Sequence, residues 1–467
     1  MLTLSDYYDI AITSFFDIRH VERDYYVWAK LHSRGYKVLI ITNIQESCEY
    51  FRQKGVDAVN IAQFSVPKMN RNCILEECRR IQNTYLLEQS FYKFVETNYL
   101  QAPALFPCRN TAVRHAIIRF RQFEALFEKT HIDCLFQIYT ADIDRMALWL
   151  VAKKKCRCVW SYTASGLPDK EVVLVANSTF EVVGLKKRFE EIKSYDKKFM
   201  SNLRKKILEL KKTNQYLPPP QFGLITKLRK LKYVKGRIRK SRKTIILKKL
   251  LNHLFVFPCR RLMIRHITHM PVAGEKYVFY PMHAPLESQV IVRGFPYRNE
   301  FELIKSIALS LPFGFKLYVK EHPGYEGWYS LREFKSLSSY PQICIVPASL
   351  NSHDLIRNAK LSIVINSTVW IEALLFNTPV LTLGSGFFSG FGVCHEVLDL
   401  NFLDRAIEKA LRSPPDKERA GRFMQALYDV SYPLAFRYYL TQSPAAAGQK
   451  MGDFIADLLK TPTVAYN

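Results

Sequence analysis

A chain of 467 residues that is 48% hydrophobic and 13% aromatic can bury two or three cores and lies outside the disordered class. Ten irregularly spaced cysteines exclude a disulfide scaffold. The pairs Cys73/Cys78 and Cys156/Cys158 have no matching partners that would make a metal site, and a net charge of +26 implies a polyanionic partner. The opening M-L-T-L-S-D-Y-Y-D has no basic n-region, and no apolar run reaches the roughly 18 residues of a membrane span. A cytoplasmic protein, soluble or peripheral on the inner face of the membrane, is expected.

In chain order, residues 8–16 read as a strand with Asp17 and His20 at its exit, 22–33 as a helix and 37–42 as a second buried strand. A helix over 46–53, a strand over 58–61 and long helices over 73–97 and 110–129 follow. Strand 133–138, helix 142–153 and strand 157–162 complete a first parallel sheet, ending near residue 180. Residues 181–210 alternate Lys and Glu, the pattern of an exposed helix laced with i,i+4 pairs. From Leu210 to Gly274 there is no Asp or Glu, against 17 Lys and Arg. A second set of strands (276–282, 316–320, 342–346, 361–365, 379–383) alternates with helices over 299–309, 328–335, 352–359, 368–376 and 403–411. That pattern makes a second doubly wound sheet, and the tail beyond Asp416 reads as helical.

Two strand exits carry candidate chemistry. The run K-L-Y-V-K-E-H-P-G delivers Lys320 and His322 to one side of the pleat, and Pro323 holds His322 extended at the strand end. The run I-N-S-T-V-W-I-E delivers Ser367 and Thr368 to the start of a helix, where hydroxyls beside unbonded backbone N–H groups suit a phosphate. Taken singly, His322 could instead bond a loop carbonyl, and Ser367 or Thr368 could be an ordinary helix cap. Glu372, one turn further, either bonds ribose hydroxyls or braces the helix start. His283 and Glu287 occupy the loop after the second sheet's first strand, placed to meet a sugar or a base. Asp17 and His20 would face them from the first domain, where an acceptor hydroxyl needs a base; a capping acid and a surface histidine are the alternative. The glycine-rich 384–392 lacks a dinucleotide fingerprint and is expected to be a flexible loop.

The succession Y-P-M-H-A-P-L-E-S, K-E-H-P-G and I-N-S-T-V-W-I-E-A-L resembles the bacterial capsule polysaccharide biosynthesis family, which includes the β-Kdo transferases of capsule assembly. Its HP and S-[ST] motifs are also similar to those of sialyl-, polysialyl- and CDP-glycerol transferases. The resemblance implies a GT-B glycosyltransferase of two Rossmann-like domains facing a cleft, with His322, Ser367 and Thr368 on the donor's phosphate. Two departures stand out: H-A-P-L-E replaces the Q-x-x-x-D element, and Trp370 sits where a small residue is usual.

The expected organisation is an acceptor-side domain over 1–180, a basic helical insertion or linker over 181–270, a nucleotide-donor domain over 271–415, and a tail over 416–467 packing back across both. The expected reaction moves a sugar from a CMP- or UDP-linked donor to a lipid-linked or growing surface glycan. It proceeds without a bound metal or cofactor, with Asp17, His20 or Glu287 as base and His283, Lys320, His322, Ser367, Thr368 and Glu372 on the donor. The 210–265 stretch is expected on anionic inner-membrane lipid, with no specific nucleic acid as partner. Alternatives are a sugar-nucleotide epimerase of the same build and a basic nucleic-acid-binding protein.

Overall fold

The computed structural model describes residues 4–15, 18–86, 90–101, 108–139, 142–176, 181–212, 251–285, 287, 290, 291, 294, 297, 299–397, 399–436 and 442–460. They divide into two compact units, 1–190 with 426–467 and 191–425.

The first unit contains β1 (Tyr7–Thr13), α1 (Ile18–Ser33), β2 (Val38–Thr42), α2 (Gln45–Gln53), β3 (Ala58–Asn60), α3 (Arg71–Tyr85), α4 (Phe91–Gln101), α5 (Arg109–Lys129), β4 (His131–Ile138), α6 (Ile143–Lys155), β5 (Cys158–Ala164), β6 (Val172–Val175) and α7 (Leu185–Glu191). Its strand order is β3-β2-β1-β4-β5-β6. β1 to β5 run parallel, and their apolar runs are nearly unbroken because helices cover both faces. β6, which the sequence reading did not anticipate, returns antiparallel to β5. Its link is a short turn with positive φ at Gly166 and Asp169, too short to hold the helix that a parallel crossover requires. The single helix expected over 73–97 is two helices, α3 and α4. One face of the sheet (Ile10, Ile12, Phe136, Tyr162) packs on α1, α2 and the carboxy-terminal helix Pro444–Lys460. That helix approaches α1 closely at Gly448, where a Cβ would come within 2.5 Å of the Arg23 carbonyl.

The second unit begins with α8 (Lys197–Lys212) and, after a π-helical turn Asn252–Val256, continues through α9 (Phe257–Arg265). Then come β7 (Tyr277–Pro281), α10 (Glu300–Leu309), β8 (Lys316–Lys320), α11 (Leu331–Ser338), β9 (Ile343–Val346), α12 (Ser352–Asn358), β10 (Leu361–Val364), α13 (Val369–Phe376), β11 (Val380–Thr382), β12 (His395–Glu396), α14 (Leu403–Arg412) and α15 (Lys417–Asp429), the last of which runs on into the first unit's residues. The order β12-β11-β10-β7-β8-β9 is parallel throughout. Each sheet therefore has the 3-2-1-4-5-6 order of a Rossmann-like fold. The cap of α12 is Asn351, whose side chain accepts from the His353 N–H, and Ser352 is the first helical residue. The division between the two units falls at 190/191 and 425/426. On it α8 and α9, within the stretch expected as a linker, belong to the second unit, and the segment from 426 on belongs to the first. Most of the acid-free block, residues 213–250, lies outside the described residues.

Candidate functional site

In a sheet of this order the connections after its first and fourth strands leave in opposite directions, opening a crevice outside their carboxyl ends. In the second unit those strands are β7 and β10. Register fixes what stands there. Pro281 pairs with Lys320 and Val278 with Leu361, so two residues beyond β7 the level reads His322, His283 and Asn366 across three neighbouring strands. Three runs distant in the chain thus meet at one edge.

His283 is buried, and the cause of its state is Glu300, in the first turn of α10. One carboxylate oxygen, Glu300 Oε1, accepts from the Tyr280 hydroxyl at 2.9 Å, the His283 backbone N–H at 2.9 Å and His283 Nδ1 at 3.0 Å. Burial disfavours the imidazolium, but Glu300, with Glu287 adding to it, outweighs that and raises the His283 pKa. Nδ1 is occupied by this bond, and the buried Nε2 has no hydrogen-bond partner among the described residues, which leaves it for a ligand atom. Glu300 is the site residue that sequence reasoning missed. An acid at the first position of a helix reads as a dipole partner, and nothing local couples it to a histidine 17 positions earlier.

His322 behaves in the opposite way. Its Nδ1 accepts the Gly324 N–H at 3.1 Å, so the neutral ring carries its proton on Nε2. Burial, then the charges of Lys320 and His283, push its pKa down to about 4. It is a neutral donor at physiological pH. Lys320 is buried at the end of β8, on the same side of the pleat as His322. Two imidazoles and an ammonium thus gather at one sheet edge, one ring biased towards its charged form by a carboxylate and the other kept neutral.

The Ser367–Thr368 turn differs in one respect from expectation. Two N–H groups at the start of α13, those of Trp370 and Ile371, are bonded to the carbonyls of Ser367 at 3.2 Å and Thr368 at 3.0 Å. The Ser367 hydroxyl accepts from Val369 N at 3.4 Å. What the turn offers is the Thr368 side chain, exposed and making no cap bond, with the end of the helix dipole. Glu372 is buried, its Oε2 3.4 Å from His353 Nε2 on α12. Glu287 is half-buried, its charge acting on both His283 and Tyr325. In the first unit His20 is half-buried in the first turn of α1, and Asp17 lies outside the described residues.

The loop after His322 is built from both sides. Glu321, on the opposite side of β8, accepts the Gly327 N–H at 3.2 Å, and burial raises its pKa to about 8. It lines a cavity of about 30 Å³ together with Ile264, Arg265 and Glu326. Gly327 has φ +82°, and a Cβ there would stand 2.6 Å from the Phe257 carbonyl. Arg260 and Arg261 of α9 donate to the carbonyls of Trp328 and Glu326 at 2.8 and 2.9 Å. The glycine-rich loop 384–392, expected to be flexible, is pinned instead. Phe388 within it is fully buried with its ring 5.2 Å from that of Trp370. Trp370, at a place where a small side chain was expected, is the anchor for that loop and also meets Phe423 at 5.8 Å. Among the described residues no group of three or more His, Cys, Asp and Glu side chains is arranged to hold a metal ion.

A family model described as "Capsule polysaccharide biosynthesis protein" matches residues 269–432, the stretch that holds this edge. Protein FixF of Sinorhizobium fredii (strain NBRC 101917 / NGR234) is 28% identical over 187 residues, covering 38% of this chain and 42% of that protein. The chain thus spans less than half the length of the curated relative it matches. Among solved structures, KpsC, a β-Kdo 2,7 transferase of Thermosulfurimonas dismutans, is 14% identical, covering 63% of this chain and 85% of that one with a TM-score of 0.36. A glycosyltransferase from Rickettsia africae ESF-5 is 10% identical over 98% of this chain and 100% of its own, with a TM-score of 0.31. UDP-GlcNAc 2-epimerase of Methanocaldococcus jannaschii is 13% identical over 96% and 99%, with a TM-score of 0.27. Overlaps of that size leave the architecture to be read from the strand order itself.

Proposed function

We propose, from a second unit matched to the capsule polysaccharide biosynthesis family, that this chain is a glycosyltransferase that uses a nucleotide-activated sugar. The observation that carries the reading is the gathering of His283, Lys320 and His322 at the edge where a Rossmann-like sheet takes its ligand. Charge develops on the nucleotide phosphate as its bond to the anomeric carbon breaks, and fixed donors aimed at that oxygen lower the barrier. His283, whose protonated form Glu300 favours, the His322 Nε2–H, the Lys320 ammonium and the Thr368 hydroxyl are such donors. The acceptor's hydroxyl oxygen forms the new bond to the anomeric carbon. Its proton passes to a base, for which Asp17, His20 and Glu287 are the candidates, and the nucleotide leaves with the bonding pair.

We assign the acceptor to the glycan or glycolipid class, and a CMP- or UDP-linked sugar as donor. In this scheme the positive edge does the work of phosphate stabilisation, and no metal is invoked. The test is a thermal-shift screen of the purified chain against CMP-, UDP-, GDP- and CDP-linked compounds, followed by nucleotide-release assays with the stabilising donor. Stabilisation by one nucleotide class, with acceptor-dependent release, supports the reading. Conversion of the donor without acceptor would instead make the chain an epimerase.

A further inference from the structure

The helix that enters the second unit has its apolar side turned outwards. From the π-helical turn through α9, Leu251, Leu254, Phe255, Leu262 and Met263 are 46%, 51%, 62%, 60% and 50% exposed. Their spacing of i, i+3, i+4, i+11 and i+12 puts them on one helical face, and Pro258 and Cys259, in the gap at i+7 and i+8, are exposed as well. The opposite face is committed to the protein. Ile264 is 4% exposed in the unit's core, the Phe257 ring lies 5.5 Å from that of Trp328, and Arg261 is bonded to the Glu326 carbonyl. The helix cannot roll to hide its apolar side without breaking those contacts.

Charge says what covers it. From residue 210 to residue 274 the chain has 17 Lys and Arg and no Asp or Glu, 12 of the cations falling in 213–250 directly before the apolar face. A second copy of this face would bring two acid-free blocks together, and the chain's own 213–250 carries the same sign as its surroundings. We propose that this face is a bilayer-docking surface: the five apolar side chains enter the headgroup–acyl boundary of an anionic membrane, the partner that an acid-free, strongly basic stretch of sequence favours. A helix with one apolar side and a basic setting lies in the plane of such an interface, held by both terms. Among the described residues no helix is long and apolar enough to cross a membrane, so this attachment lies on the surface. Because α9 also clamps the loop after His322, docking and donor binding share one helix.

The test uses the full chain with phosphatidylcholine vesicles, plain or carrying about one third phosphatidylglycerol. Binding to the anionic vesicles is expected, and the double substitution Phe255→Asp/Leu262→Asp should weaken it at least tenfold. Thermal unfolding of the double variant should be unchanged, because both positions are exposed. In a separate Phe255→Trp variant, emission should shift to the blue on vesicle addition and be quenched by lipids brominated along the acyl chain. Unweakened binding of the double variant overturns the proposal. So does a tryptophan already shielded before vesicles are added, which would mean that the chain's own segment or a second copy covers the face. Salt-sensitive binding to duplex DNA, without vesicle binding, overturns it equally.

Discussion

Glu300→Gln is the substitution that isolates charge from geometry. In the wild type one carboxylate oxygen takes the Tyr280 hydroxyl, the His283 N–H and His283 Nδ1, all buried. Gln keeps an acceptor oxygen at nearly the same place and removes the charge, so its cost is the charged increment of the bonds, about 1–3 kcal/mol. Glu300→Ala would leave three buried donors unmatched and cost about 3–5 kcal/mol. The pH dependence discriminates further. Because the folded protein raises the His283 pKa, this pair's contribution is fully present below the unfolded-state value of about 6.5. It is lost as pH rises through the folded value. The gap between wild type and Glu300→Gln, measured by urea unfolding at a series of pH values, should therefore be widest on the acid side and narrow upward. Donor turnover in the variant should drop by an order of magnitude or more as His283 loses its proton. Long-range ¹H–¹⁵N spectra of the imidazole report that proton directly. A gap that is the same at every pH, or a His283 already neutral in the acidic wild type, would refute the pairing argument.

His322→Ala removes a neutral Nε2–H donor and should lower turnover about 10²–10³-fold in donor-dependent nucleotide release. Its unfolding free energy should stay within about 1–2 kcal/mol of wild type; near-normal turnover would take His322 out of the site. Glu321, with its pKa raised from 4.5 to about 8, keeps a proton in the folded state that the unfolded chain loses. Wild-type stability should therefore fall as pH climbs through that window. Glu321→Gln stays neutral and can still accept the Gly327 N–H, so its denaturation midpoint should be flatter there; an identical pH slope in the two proteins would contradict the assignment. Gly327→Ala combines a positive φ with a 2.6 Å approach to the Phe257 carbonyl. It should cost more than the roughly 1 kcal/mol of a left-handed residue alone and lower both the melting temperature and donor affinity; an unaffected melting temperature would mean that the loop and α9 move freely apart.

What the sequence disclosed follows how local each signal is. Strands β1, β2, β8 and β10 were legible because a buried parallel strand is an unbroken apolar run, and it needs no partner to be recognised. β6 and β12 were not. The first is an antiparallel return without a helix before it, and the second is two residues long. Both exist through pairing with strands already in place. His322, Lys320, Ser367 and Thr368 could be singled out because their motifs end strands, and the structure sets them at the edge the topology favours. Glu300 and the roles of Trp370 and Glu321 stayed hidden because each depends on a contact between chain-distant residues. The apolar face of residues 251–263 had a different obstacle. Its periodicity is that of any amphipathic helix, and sequence cannot say which side a helix buries. Only the docking of Ile264 and Phe257 shows that the larger apolar side is left outside. This bears on the basic block too. Read as charge alone, 17 cations would suit nucleic acid, acidic glycan or lipid equally. Set beside an outward apolar face fixed to the loop after His322, the same cations favour the one polyanion that also has an apolar interior.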